Sequence, residues 1–324
     1  MLARSPGAAP ETPGRTPHGG RLFIEDYLQD LRRDRFSLPA WVSYARRAAG
    51  RARECLVANP GAVRSLWSLA LLYFAAAFVA AAAMALAFSR PLAHALFLWT
   101  ALGILPVFGL VTLHLDLLRD RDGFRLSAIN LPIALTLLRV TLLPAIALFL
   151  VQHHYRLALA TFLVASLSDV LDGWLARRWG QVTQLGVVLD PIVDIAFNLS
   201  IFAGLVRAGL LPPWVFAVAA LRYGILLAGG IVLTIVVGPV RIRPTFFGRL
   251  TGVIMAALMA FLVMLHALDA RAADTLAPLT QVALGALMCA TVIHVVALGW
   301  YNLRVMGGTG QPGQVVGDVR WGPR

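Results

Sequence analysis

The stretch SDVLDGWLARRWGQVTQLGVVLDPIVD, residues 168–194, decides how the rest of the chain is read. It places four aspartates, Asp169, Asp172, Asp190 and Asp194, in an otherwise oily sequence that has only seven acidic residues from position 130 onward. Asp169, Asp172, Gly173 and Ala176 recur at i, i+3, i+4 and i+7, which puts them on one helical face. Gly186, Asp190 and Asp194 follow i, i+4 and i+8, again one face. The polar segment between them, RRWGQVTQ, carries Gly180 and can turn the chain back. The spacing therefore predicts two antiparallel helices that present two carboxylates each toward one another, near a membrane surface.

Four free carboxylates do not sit comfortably in such a place. Burial costs several kcal/mol per ion even after relaxation, and like-charge repulsion adds to it. Either several are protonated or cations neutralise them. Hard oxygen donors without His or Cys suit Mg²⁺ or Mn²⁺, and four carboxylates suit a pair of such ions. A two-metal carboxylate site commonly clamps a phosphate or diphosphate and stabilises the attacking and leaving oxygens of an in-line displacement. Gly173, Ala176 and Gly186 leave room on the same faces for a bulky ligand, and Arg177 can hydrogen-bond phosphate oxygens. Competing readings are the proton-relay aspartates of a transporter and solvated loop charges. A transporter predicts polar residues through the full depth of several spans, whereas here they gather at one face.

The composition supports a membrane setting. The chain has 324 residues, of which 59% are hydrophobic and 14% charged, with a mean hydropathy of +0.76. Apolar runs of spanning length fall at about 66–88, 92–117, 131–152, 157–176, 186–206, 213–237, 250–268 and 277–301. Every basic residue is arginine. Eight spans put both termini on one side, and that side then holds 22 arginines, including Arg119, Arg121, Arg125, Arg177, Arg178, Arg241, Arg243 and Arg249. The other side holds only Arg90, Arg156, Arg207 and Arg271, while Arg139 and Arg222 fall within spans. This positive-inside bias accounts for the net charge of +12 without any nucleic-acid partner. Cys55 and Cys289 lie too far apart in this arrangement to imply a disulfide or a thiolate metal site.

Residues 1–36 read as a disordered basic tail, and 37–63 as a basic amphipathic helix lying on the membrane. Residues 64–118 form two accessory spans, 130–305 a six-span unit, and 306–324 a C-terminal tail. The predicted fold class is an all-α polytopic membrane bundle.

Asp169-x-x-Asp172-Gly173-x-x-Ala176-Arg177, followed after eight residues by Gly186-x-x-x-Asp190-x-x-x-Asp194, resembles the signature of the CDP-alcohol phosphotransferases at all eight fixed positions. The resemblance covers residues 130 to about 305 and is to phosphatidylglycerophosphate synthase-like members. It implies a six-span homodimeric membrane enzyme that moves a substituted phosphate group from a CDP-linked donor to an alcohol and releases CMP. It further implies that Asp169, Asp172, Asp190 and Asp194 hold the metals, with Asp194 also the general base on the acceptor hydroxyl. NLPIALTLLR, residues 130–139, is similar to the family's first core span, with Pro132, Thr136 and Arg139 matching and Ile133 in place of the usual Asn. Thr136, Arg139, Asp169, Gly173, Ala176, Arg177 and Gly186 are then the nucleotide and diphosphate contacts. Ile195 stands where many phosphatidylglycerophosphate synthase-like members carry Lys.

RIRPTFFGRLTG, residues 241–252, resembles the acceptor-pocket segment, and Arg222 matches an arginine of the family's fourth core span, so the resemblance implies Arg222, Arg241, Arg243 and Arg249 as acceptor-binding candidates. The expected donor is CDP-diacylglycerol and the first-choice acceptor glycerol 3-phosphate. Phosphatidylglycerol, giving cardiolipin, is second, and a CDP-choline or CDP-ethanolamine donor with diacylglycerol is third. A catalytically inactive membrane scaffold is the remaining alternative. The expected location is the bacterial inner membrane, with the site facing the cytoplasm.

Overall fold

A computed structural model of the chain describes residues 37–120, 122–237, 246–268 and 270–308. The two predicted tails therefore lie outside the described residues, apart from the end of the last helix. The helices run in the order α1 (Leu38–Ala58), α2 (Pro60–Ala87), α3 (Arg90–Leu113), α4 (Leu131–Val151), α5 (Tyr155–Arg178), α6 (Gln184–Arg207), α7 (Pro213–Val237), α8 (Phe246–Leu268) and α9 (Ala270–Gly308). A short 3₁₀ turn, Leu115–Leu117, follows α3.

Polar caps at the edge of apolar runs set the helix starts. Asn59, Ser89, Asn130 and Thr183 each accept a hydrogen bond from the backbone N–H three residues on, satisfying donors that a helix end leaves open. Because Asn59 caps and Pro60 follows, α2 begins six residues before the apolar run that predicted it. Seven helices among the described residues are long and apolar enough to cross a membrane, and the protein is an integral membrane protein. The predicted span at 213–237 is the exception. It forms α7, but the stretch with described side chains, Pro213–Gly229, is a shorter apolar helix.

α4 is the centre of the bundle and packs against α3, α5 and α6. α2 pairs with α3, α5 with α8, and α9 closes the far side against α7 and α8. In hydrocarbon the driving force for such packing is close fit and dispersion rather than escape from water. Gly204 shows the fit. A Cβ there would stand 2.9 Å from Leu150 Cδ1, and Leu150 is itself buried on α4. Gly204→Val is expected to separate α4 from α6 and lower thermal stability by about 1–3 kcal/mol, the usual cost of overpacking. Thermal unfolding in detergent would show this, and an unchanged midpoint would mean that the contact yields freely.

Two apolar clusters result. One gathers Phe149, Phe162, Phe202, Leu205, Leu262 and Met288 toward the C-terminal end of α4. The other joins Leu66 of α2 and Phe108 of α3 to Ile133 and Leu137 of α4 and to Leu185 and Leu189 of α6. The second lies beneath the aspartates.

Candidate active site

α5 ends at Arg178, and Gly180, at φ +65°, turns the chain into α6. That left-handed value costs a residue without Cβ little. The expected pair of helices is thus present, but with a difference. α5 and α6 pack along α4 instead of along each other. Their aspartates meet through a residue of α4, Arg139, whose side chain is 1% exposed.

The guanidinium is the hub. Its Nη2 lies 2.5 Å from Asp169 Oδ1 and 2.6 Å from Asp172 Oδ2, and its Nη1 lies 2.5 Å from Asp194 Oδ1. One turn earlier on α4, Thr136 Oγ1 is 3.1 Å from Asp172 Oδ2 and 3.3 Å from Asp190 Oδ1. Pro132 O, 3.1 Å away, competes for the same hydroxyl hydrogen, so Thr136 serves one of these three oxygens at a time. Asp172 is nearly buried, whereas the side chains of Asp169 and Asp194 are half exposed, at 50% and 51%. Arg139 Nε is buried without a hydrogen-bond partner.

Four carboxylates around one guanidinium leave three formal negative charges when all are ionised. Such a set attracts further cations. Among the described residues no three carboxylate, imidazole or thiol groups are drawn together as a metal clasp. The donor set still fits a hard cation, because it is all oxygen and comes from two elements facing one centre, where Arg139 supplies the positive charge.

Beside the cluster lies a cavity of about 170 Å³. Of the residues expected to meet the nucleotide and diphosphate, Thr136, Gly173, Ala176, Arg177 and Gly186 all line it, together with Asp172 and Asp190. Arg139 and Asp169 do not; they face each other in the carboxylate cluster. The Arg177 guanidinium folds back over Gly173, with Nη1 3.2 Å from where a Cβ would stand. Thr183 Oγ1 accepts from Gly186 N at 3.1 Å, so the capped start of α6 forms one wall. A helix N-terminus and an arginine on one cavity make a setting suited to phosphate oxygens.

Pro132, Ile133, Gln181, Val182, Thr183 and Val187 complete the lining, and of these the polar Gln181 and Thr183 were not singled out from the sequence. Thr183 had a signal, a Thr directly before an apolar helix. Ile133 is buried against the second apolar cluster, which includes Leu66 and Phe108 of the two preceding helices.

Arg222 lies on α7, which packs on α6. Its Nε and Nη1 are buried with no hydrogen-bond partner among the described residues, and its guanidinium carbon is 4.7 Å from the Tyr223 ring centroid. Arg241 and Arg243 lie outside the described residues, and Arg249 is on α8 with its side chain outside the description.

Residues 129–301, more than half of the chain and including every aspartate of the cluster, match the CDP-alcohol phosphatidyltransferase family. The chain belongs to that family. A probable CMP-forming cardiolipin synthase from Drosophila melanogaster is 34% identical over 110 residues, 34% of each chain. The CMP-forming cardiolipin synthase of Streptomyces coelicolor is 43% identical over 70 residues, 22% of this chain and 33% of its own. A CDP-diacylglycerol–glycerol-3-phosphate 3-phosphatidyltransferase from Haemophilus influenzae is 43% identical over 68 residues, 20% of this chain and 37% of its own. The chain thus spans about a third of the length of these curated relatives. No solved structure matches it. Family membership supports a phosphotransferase activity and the use of a divalent metal.

Proposed function

We propose that the protein transfers a phosphatidyl group from CDP-diacylglycerol to glycerol 3-phosphate and releases CMP. The observation that carries this reading is the cavity beside the aspartates, where Thr136, Gly173, Ala176, Arg177 and Gly186 converge at the capped start of α6. The cytidine diphosphate end of the donor would lie there, with Arg177 and the α6 N-terminus on its phosphate oxygens.

Asp169, Asp172, Asp190 and Asp194 would hold Mg²⁺ or Mn²⁺, one ion or two. When bound, such ions neutralise the diphosphate and stabilise the charge that develops on CMP. Asp194, half exposed and with one oxygen free of Arg139, takes the proton of the acceptor hydroxyl. The hydroxyl oxygen bonds to the phosphorus that carries diacylglycerol, and the anhydride bond to the CMP phosphate breaks. Arg222 presents buried N–H groups without a partner among the described residues, and an acceptor phosphate would satisfy them. Arg241, Arg243 and Arg249 are the further candidates for that phosphate.

The reading takes residues 64–118 as an accessory pair of spans and 130–305 as a six-span catalytic unit. It also takes the protein as a homodimer of the bacterial inner membrane, with the site on the cytoplasmic side where the arginines concentrate. Phosphatidylglycerol is the second acceptor, because several relatives are named cardiolipin synthases. Purified protein with CDP-diacylglycerol, Mn²⁺ and each acceptor in turn should release CMP with glycerol 3-phosphate. Release with phosphatidylglycerol alone would transfer the assignment to cardiolipin formation, and release with neither would end the reading.

A further inference from the structure

Two asparagines in this protein use both ends of the side-chain amide. Asn59 Oδ1 accepts from Ala62 N at 3.2 Å and caps α2, while its Nδ2 donates to Leu126 O at 2.7 Å. Asn130 Oδ1 accepts from Ile133 N at 3.3 Å and caps α4, while its Nδ2 donates to Gln181 O at 2.8 Å. Each partner is a backbone N–H or a backbone carbonyl, so only one orientation of each amide satisfies both bonds.

The two residues bracket one strap of chain. Residues 118–120 and 122–126 pair antiparallel through Leu126 N to Leu118 O, 3.0 Å, and a bridge between Arg119 and Arg125. Asp120 Oδ1 closes the tip by accepting from Phe124 N at 2.8 Å. α2 grips the strap from one side. Ser65 Oγ accepts from Ile129 N at 3.1 Å, and a Cβ at Gly61 would stand 2.7 Å from Ser127 O. On the other side Arg119 O accepts from Gln184 N at 3.0 Å, the first residue of α6. Gln181 and Thr183, just before it, line the cavity.

α2 lies outside the segment matched by the family and reaches the cavity wall through hydrogen bonds that the Leu118–Arg119 peptide link joins. We propose that Asn59 and Asn130 are positioning residues: they transmit the placement of α2 through the strap to residues 181–184, and so set the affinity for the donor. The inference rests on the reading that this cavity takes the donor's nucleotide diphosphate.

Asp at either position keeps the capping oxygen and removes the donor, which separates the tether from helix capping. In the full-length protein, Asn59→Asp is expected to speed amide exchange at residues 181–186 by about 3- to 10-fold, the worth of one hydrogen bond, without speeding it along α2. The same variant should raise KM for CDP-diacylglycerol by a similar factor and leave kcat within about twofold. Asn130→Asp should speed exchange at the same residues. Gly61→Ala, which keeps both asparagines and pushes the strap off α2, should reproduce the exchange effect. Wild-type exchange at 181–186 in both Asn59→Asp and Gly61→Ala would overturn the proposal. So would faster exchange confined to α2 and residue 126. A wild type that does not turn over CDP-diacylglycerol would defeat the functional reading instead, and the exchange measurements would still judge the relay.

Discussion

Asp194→Asn is expected to cut CMP release by a factor on the order of 10²–10⁴, the contribution typical of a positioned general base. The amide keeps an oxygen for Arg139 Nη1, which lies 2.5 Å from Asp194 Oδ1, so the hub loses no hydrogen-bond partner. What it loses is the capacity to take a proton from the acceptor hydroxyl. The variant should therefore insert into membranes and unfold thermally much like wild type. A single-turnover assay of CMP release, paired with thermal unfolding, separates the two effects. Equal CMP release by variant and wild type would remove Asp194 as the base.

Arg139→Met is expected to have the largest effect on stability. The residue is 1% exposed and bridges α5 and α6 from α4, so its loss leaves three carboxylates facing one another around an apolar side chain. Breaking a fully buried ion pair costs about 3–5 kcal/mol, and the half-exposed Asp169 and Asp194 bring the figure here toward the lower end. Divalent metal should reverse part of this loss. If the aspartates hold the metal as proposed, the guanidinium and the ion compete for the same oxygens, and a ligand that binds only the folded state stabilises it by mass action. Adding Mn²⁺ after chelation should thus raise the unfolding midpoint of Arg139→Met by more than that of wild type. An equal or smaller rise would mean that Arg139 and the metal do not share the carboxylates.

The two effects point to a common property of the cluster. Its aspartates are held near one another by a cation that the protein itself supplies, and Thr136 offers one hydrogen bond to Asp172 Oδ2, Asp190 Oδ1 or the Pro132 carbonyl. Arg139 therefore acts on the aspartates rather than lining the cavity where the nucleotide end of the donor is proposed to lie. Ile133 is a companion case. It replaces a polar residue of the family pattern, and in this fold it is buried against a cluster that Leu66 of α2 and Phe108 of α3, both outside the matched segment, help to build.

Much of this protein is legible in its sequence because the governing rules are local. A run of about 20 apolar residues forms a helix of spanning length whatever its neighbours do, since hydrocarbon leaves backbone groups no other partner. Spacings of three and four residues place Asp169 with Asp172, and Asp190 with Asp194, on single helical faces by the pitch of the helix alone. Gly180 between them is legible as a turn, and its positive φ is the physical reason. The same spacing places Gly173 and Ala176 on the face of Asp169, and Gly186 on the face of Asp190 and Asp194.

What only the tertiary structure decides is what stands between those faces. Periodicity describes one helix at a time and carries no term for a third helix inserted between two others, so it set α5 directly against α6. Packing instead puts α4 between them, and a charge-neutralising contact forms across 30 to 55 positions of sequence, from Arg139 to Asp169, Asp172 and Asp194. The strap is of the same kind. Asn59 and Asn130 look like ordinary helix caps in sequence, and only the folded chain brings the carbonyls of Leu126 and Gln181 within reach of their amides.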